Sequence, residues 1–254
     1  MSTKAAVAGN PVIDKATPRP ESRDMVRYYV WDVMVRISHW LNFPLIVGLI
    51  LTGFYIGGPN FRPNVDEPYG SYTMATMKNL HFLLAILFTT NGLFRIYWFW
   101  GGKTWRQWYR NQIWEKDFWK EVWWKLKEYV LLRYTKREAA TLTHNALAAL
   151  AYTLLFLACG FITITGFAMR GMINPGGWLD MLFGWVIPLL GGEAPTRMLH
   201  RLAMWVIIAF SVHHIAFVFY FEVLAERGLI SSMITGYKTK PARWKQQDKP
   251  WEEK

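Results

Sequence analysis

Six histidines and one cysteine are the residues of this chain most able to bind a metal or carry redox chemistry. Neutral imidazole is the commonest metal ligand among side chains. The lone Cys159 excludes a disulfide framework, a thiolate metal site and a cysteine-ligated iron–sulfur cluster. It sits in an apolar stretch and reads as a small packing residue. His200 and His214 stand 14 residues apart. On a helix that spacing falls about 40° short of four full turns, so both face one side, about 21 Å apart along the axis. His213 points roughly 140° away from His200 and makes a poor partner for either.

The elements that must carry these residues follow from composition. Of 254 residues, 52% are hydrophobic and 19% charged, and aromatics reach 17% with 15 Trp. Residues 37–61, 146–169 and 202–221 contain no Asp, Glu, Lys or Arg, and neither does 79–94. A bilayer core needs roughly 20 mainly apolar residues per helix. Three stretches meet that length, and the fourth does so with Arg95 at its end. The spacing predicts helices at about 37–57, 74–100, 141–168 and 197–222, the first two stopped by Gly57-Gly58-Pro59 and Gly101-Gly102. The fold class is an all-α integral membrane protein with a four-helix transmembrane bundle. A soluble globular enzyme is excluded.

The first 36 residues hold Pro11, Pro18 and Pro20 without an apolar core, unlike a cleavable signal peptide. Of the 29 Lys and Arg, 24 lie in the N-terminal segment, in the 101–140 loop, in the tail after 222, or at Arg95. The other five are Arg62, Lys78, Arg170, Arg197 and Arg201. By the positive-inside rule both termini and the long loop are cytoplasmic. The net charge of +11 is therefore topological, and no nucleic-acid partner is expected. The expected organisation is a cytoplasmic segment 1–36, a membrane domain 37–222 and a basic cytoplasmic tail 223–254.

Topology sorts the histidines by depth. His81, early in the second helix, and His200, early in the fourth, lie at the outer level. His39 and His214 lie at the inner level. Each level brings two imidazoles from two helices together. Two imidazoles fill both axial positions of a haem iron and leave no open coordination site, which makes the group an electron carrier. Zinc would want three or four ligands at one level. Two haems follow, with pairs His81/His200 and His39/His214. A single membrane histidine often serves only as an interhelical hydrogen-bond partner; two depth-matched pairs argue against coincidence. Arg36, Arg95, Arg197 and Arg201 stand at the levels where propionates would emerge, with headgroup anchoring as the other reading. Gly48, Gly53, Gly160 and Gly166 would give flat macrocycles room, or else serve ordinary helix packing.

Outside the spans, Trp114, Phe118, Val122, Leu126 and Val130 recur every fourth residue, while Lys116, Lys120, Lys127 and Arg133 lie off that stripe. This predicts an amphipathic helix in the cytoplasmic interface or packed on the bundle. Residues 181–192 are apolar but too short to span, and Pro188 interrupts them, so an interfacial or re-entrant piece is expected. No internal repeat or low-complexity tract is read.

From Tyr29 to Lys240 the sequence resembles the b-type cytochrome subunits of membrane-bound nickel–iron hydrogenases. The resemblance rests on R-I-S-H-W-L-N at 36–42, L-T-G-F-Y-I-G at 51–57, G-L-F-R-I-Y-W at 92–98 and H-N-A-L-A at 144–148. It rests also on F-G-W-V-I-P-L-L-G at 183–191, on His200 with Trp205 and His214, and on the tail S-S-M-I-T-G-Y-K-T from Ser231. Related cytochromes often carry Pro where Ala146 stands, and a second His where Arg201 stands. The resemblance implies haem b held by His39, His81, His200 and His214, the same four that depth selects. It implies as partners a hydrogenase small subunit, with iron–sulfur clusters and a C-terminal membrane helix, and a nickel–iron large subunit, both on the outer face of the bacterial inner membrane. Electrons from H2 would pass to quinone; the chain itself would not activate H2 but would host quinone reduction. That reduction is expected beside the inner haem, where His144 and Asn145 begin the third helix, and related formate dehydrogenases place an Asn-containing turn there. Asn145 and Thr143 otherwise read as helix-start residues.

Two other readings stand beside this one. The chain could serve a formate dehydrogenase or thiosulfate reductase as its cytochrome subunit, which neighbouring genes would reveal. It could also be a haem-free membrane anchor or metal transporter, which would lack b-type absorption bands.

Overall fold

The computed structural model describes residues 25–58, 72–101, 114–130, 145–223 and 228–241. A strand β1 (Met25–Tyr29) leads into α1 (Val33–Gly57), followed by α2 (Thr73–Gly101), α3 (Lys116–Val130) and α4 (Ala146–Gly171). Two short helices, α5 (Trp178–Phe183) and α6 (Val186–Leu189), precede α7 (Glu193–Val223). The described chain closes with α8 (Leu229–Thr235) and β2 (Tyr237–Pro241). Helices α1, α2, α4 and α7 are each long and apolar enough to cross a membrane.

The helix limits differ from expectation where local chemistry intervenes. Helix α4 starts at Ala146 rather than 141 because Asn145, with extended backbone, caps it: its side chain accepts from the Ala148 N–H at 2.8 Å. Helix α7 starts at Glu193, four residues before the expected 197, where Thr196 is fully buried and its hydroxyl donates to the Gly192 carbonyl at 2.8 Å.

The four long helices pack as two close pairs, α1 with α2 and α4 with α7. Contact between the pairs is made largely by side chains. Phe54 meets Trp205 at 5.4 Å between ring centres, Phe82 meets Phe167 at 6.1 Å, and His39 meets His214 at 6.2 Å. Within the first pair, Gly48 leaves room for Leu84: a Cβ there would lie 2.8 Å from the leucine Cδ1. Gly48 is thus a packing glycine. Asn91, buried on α2, donates to the Ser38 carbonyl at 2.9 Å and to Asn42 Oδ1 at 2.7 Å, tying α2 to α1.

Each end of the bundle is closed differently. At one end, here the hairpin end, α5 lies across the end of α4. The Asp180 backbone approaches Gly171 so closely that a Cβ on the glycine would lie 2.9 Å from the Asp180 nitrogen. Residues 181–192 therefore form short turns over the helix ends, too short to cross, as their length predicts.

At the other end, the ribbon end, β1 and β2 pair antiparallel from Met25↔Pro241 to Tyr29↔Tyr237. Gly236 makes this return with φ +89, and its carbonyl accepts from the Val30 N–H at 2.8 Å. A Cβ there would also strike the Tyr29 ring at 2.9 Å, so position 236 requires glycine twice over. The Trp31 indole donates to Ser232 Oγ at 3.3 Å and the Trp40 indole to the Met233 carbonyl at 3.1 Å. The all-α expectation holds for the bundle; this ribbon is a small addition. Residues 228–241 fold back onto the N-terminal segment.

Helix α3 packs on the start of α4. Phe118 and Val122 are buried against Ala146 and Ala149, and Glu121 Oε1 accepts from the Ala146 N–H at 3.1 Å. The expected stripe is only partly buried: Trp114 is 78% exposed and Leu126 38%, while Lys125 takes a buried place. Burial pushes the Glu121 carboxyl above the ordinary carboxylate range, against the opposing effects of the Ala146 N–H and Lys125.

Candidate haem sites

At the hairpin end, His81 of α2 lies against α1. Thr52 Oγ1 is 2.8 Å from His81 Nδ1, while the same oxygen is 2.7 Å from the Gly48 carbonyl of its own helix. Gly53 borders the ring: a Cβ would sit 3.5 Å from His81 Cε1 and 3.7 Å from Met204 Sδ of α7. The second pair repeats the device. Thr165 Oγ1 of α4 is 2.9 Å from His200 Nδ1 of α7 and 2.9 Å from the Phe161 carbonyl. Gly166 borders the His200 ring, with a Cβ there 3.2 Å from Cε1.

The repetition is visible in the sequence once the structure points to it. Leu51-Thr52-Gly53-Phe54 and Ile164-Thr165-Gly166-Phe167 are the same motif at the same level of α1 and α4. The sequence alone does not display this internal repeat, because it is short and its flanks diverge. Thirteen residues before the threonines stand His39 and Tyr152; fourteen after His81 and His200 stand Arg95 and His214. At the hairpin end the two histidines stand on equivalent helices, α2 and α7, whereas at the ribbon end they stand on α1 and α7.

At the ribbon end, His39 and His214 face each other with ring centres 6.2 Å apart and planes at 61°. Two metal–imidazole bonds of about 2.0–2.1 Å would fit within that separation, so the two rings could hold one iron between them. Phe210 stacks on His214 at 5.8 Å and 9°, and Tyr152 meets it edge-on at 6.3 Å. His213 turns away onto Phe217, 4.3 Å between centres, and takes no part.

The four arginines separate. Arg36 and Arg95, at the ribbon end, keep buried donors without a partner among the described residues: Arg36 Nε and Arg95 Nη1, joined by Trp98 Nε1. Buried unpaired donors are costly, and a set of them is suited to carboxylates. Trp98 is a residue the sequence reading missed; its position three after Arg95, on the same helix face, was the available signal. Arg201 instead donates to the Gly57 carbonyl at 3.2 Å, and exposed Arg197 pairs with Glu193 on its own helix. Asn145 is the cap of α4, and His144 lies outside the described residues. Gly160 has nothing within 4 Å of where a Cβ would stand.

The residues present fit haem. Two imidazoles meet across the helix pairs at a bis-imidazole spacing, glycines flank the other two rings, and orphaned cationic donors lie where carboxylates could be received. Among the described residues no three His, Cys, Asp or Glu gather as a metal cluster of the zinc kind would need.

This arrangement, two helix pairs presenting facing histidines inside a membrane bundle, is that of a b-type cytochrome. Residues 30–236 match the family model of prokaryotic cytochrome b561, and the chain belongs to that family, whose members are multi-pass membrane electron carriers with haem b. It is similar to proteins described as "Probable Ni/Fe-hydrogenase B-type cytochrome subunit". The one from Cupriavidus necator is 35% identical over 215 residues, covering 83% of this chain and 86% of the relative. That of Rhizobium leguminosarum is 34% identical, covering 82% and 87%. The corresponding hydrogenase 1 subunit of Escherichia coli is 31% identical, covering 86% and 94%.

Proposed function

We propose that the protein is the membrane-anchoring di-haem cytochrome b subunit of a nickel–iron hydrogenase, passing electrons from H2 oxidation to quinone. The observation that carries this reading is the His39–His214 pair, 6.2 Å between ring centres across the two helix pairs, with His81 and His200 held by the matching Thr52 and Thr165 bonds. The relatives' names support the hydrogenase as donor.

In this reading His81 and His200 would ligate one haem and His39 and His214 the other, and the haem iron would supply the one-electron redox chemistry. Arg36 and Arg95 offer donors to the propionates at the ribbon end, and Arg201 and Arg197 stand at the hairpin end. Residues 37–222 form the cytochrome domain in the bacterial inner membrane. Segments 1–36 and 223–254 are cytoplasmic, and the basic residues gathered on that side support the orientation. The hairpin end then faces outward, where α5 and α6 present exposed Trp178 and Trp185 to the iron–sulfur small subunit and, beyond it, the large subunit. Quinone is reduced at the opposite end, with Asn145 and His144 near its carbonyls.

Purification from native membranes tests the reading. Two b-type haems per polypeptide and co-purification of both hydrogenase subunits are expected. A protein without b-type bands, or one isolated with a different dehydrogenase, would overturn it.

A further inference from the structure

We infer that Thr52 and Thr165 are positioning residues that fix the protonated nitrogen of His81 and His200 and hold the hairpin-end haem at a lower potential than the ribbon-end haem. This rests on the proposed di-haem reading. A threonine hydroxyl has one proton, and a carbonyl oxygen can only accept. Thr52 lies 2.7 Å from the Gly48 carbonyl and Thr165 2.9 Å from the Phe161 carbonyl, so each proton is directed there. Each threonine oxygen must therefore accept from the imidazole, at 2.8 Å from His81 Nδ1 and 2.9 Å from His200 Nδ1. Each hydroxyl has a second carbonyl of its own helix within reach, Leu49 at 3.2 Å from Thr52 Oγ1 and Ile162 at 3.1 Å from Thr165 Oγ1, which draws the proton the same way. Both rings are thus Nδ1–H tautomers, with the Nε2 lone pair left for iron.

A hydrogen bond from the distal N–H makes an imidazole a more basic ligand. A more basic axial ligand favours the ferric over the ferrous state and lowers the potential; outer hydrogen bonds are among the protein's levers on haem. At the ribbon end the surroundings differ. His39 meets the Trp40 and His214 rings, and His214 meets Phe210 and Tyr152. Among the described residues neither ring has a hydrogen-bond acceptor comparable to Thr52 or Thr165. The asymmetry sets the electron's preferred residence at the ribbon end, so transfer away from the hairpin end runs downhill.

The test is a redox titration of the haem absorption bands in membranes carrying the intact complex, for Thr52→Val, Thr165→Val, the double variant and the two serine variants, with haem per polypeptide measured on each. Valine keeps the branched shape and removes the acceptor; serine keeps the acceptor. Each valine variant is expected to raise the midpoint of one haem component, the lower one, and the double variant to raise it further. The other component should stay in place, and both serine variants should return the wild-type value. Should a valine variant lose that haem, its recovery in the serine variant at the wild-type midpoint supports the positioning role, and loss in both overturns it. Full haem with unmoved midpoints in both valine variants, or equal movement of both components, also overturns it. Wild-type membranes with no second haem would instead refute the underlying di-haem reading.

Discussion

His39 on α1 and His214 on α7 face each other across the two helix pairs, ring centres 6.2 Å apart, although 175 positions separate them in the chain. The two helices are not among the closely packed pairs, so the contact is made by the imidazole rings themselves. This gives the first expectation. His39→Ala and His214→Ala should remove one common spectral component, and His81→Ala and His200→Ala the other, each leaving the remaining haem. Low-temperature difference spectra with haem quantified per polypeptide check it. A component shared by His81→Ala and His214→Ala would refute the pairing.

The two ring-flanking glycines should respond unequally to a side chain. A Cβ at position 53 would meet His81 at an ordinary 3.5 Å, whereas at position 166 it would meet His200 at 3.2 Å. Gly53→Ala is expected to keep both haems. Gly166→Ala, whose Cβ is already in tight contact with the ring, should lower the content of the haem of His81 and His200. Equal haem content in the two variants would contradict the geometry.

Asn91 should matter to stability without touching a haem ligand. Its amide joins α2 to the Ser38 carbonyl and Asn42 in a buried site. Polar links between membrane helices are worth on average about 0.6 kcal/mol and up to about 1.7. Asn91→Leu leaves the Ser38 carbonyl and Asn42 without that donor, so a loss of about 1 kcal/mol is expected. Thermal unfolding in detergent measures it, and an unchanged midpoint would show that the bridge contributes nothing.

The α3–α4 junction should weaken as pH rises. Glu121 has its folded pKa raised above the ordinary value of 4.5, chiefly by burial. The folded state then holds the proton more tightly than the unfolded one, so stability falls as pH climbs from about 4.5 through the raised value. Glu121→Gln keeps an acceptor for the Ala146 N–H and should flatten this dependence. Tryptophan fluorescence of Trp119, Trp123 and Trp124 during heating, followed across that pH range, reports it. A wild-type junction strengthened by rising pH would reverse the sign and refute the argument.

Asn145→Leu and His144→Ala are expected to keep both haems and their reduction by H2 while losing electron delivery to quinone. Because Asn145 also caps α4, its loss should cost helix stability of about 1 kcal/mol. Asn145→Asp keeps the capping oxygen and replaces the amide donor, separating the two roles. Wild-type H2-dependent quinone turnover in the leucine and alanine variants would remove both residues from the quinone site.

The sequence by itself determined the four spans and the levels of the histidines. Crossing a bilayer requires long charge-free helices, and helical rise converts position in the chain directly into depth. It determined that His200 and His214 share a face while His213 does not, because that depends on one helix alone. Only the tertiary structure decided what lies beside each ring. The threonine that holds His81 is on another helix, 29 residues away, and the one that holds His200 is 35 away. Hydroxyl-to-imidazole contacts depend on how helices rotate against each other, which no local period encodes. The same holds for Trp98, whose indole is buried without an acceptor among the described residues. It holds too for Gly236, whose positive φ and contact with Tyr29 exist only because the far end of the chain returns to pair with Met25–Tyr29.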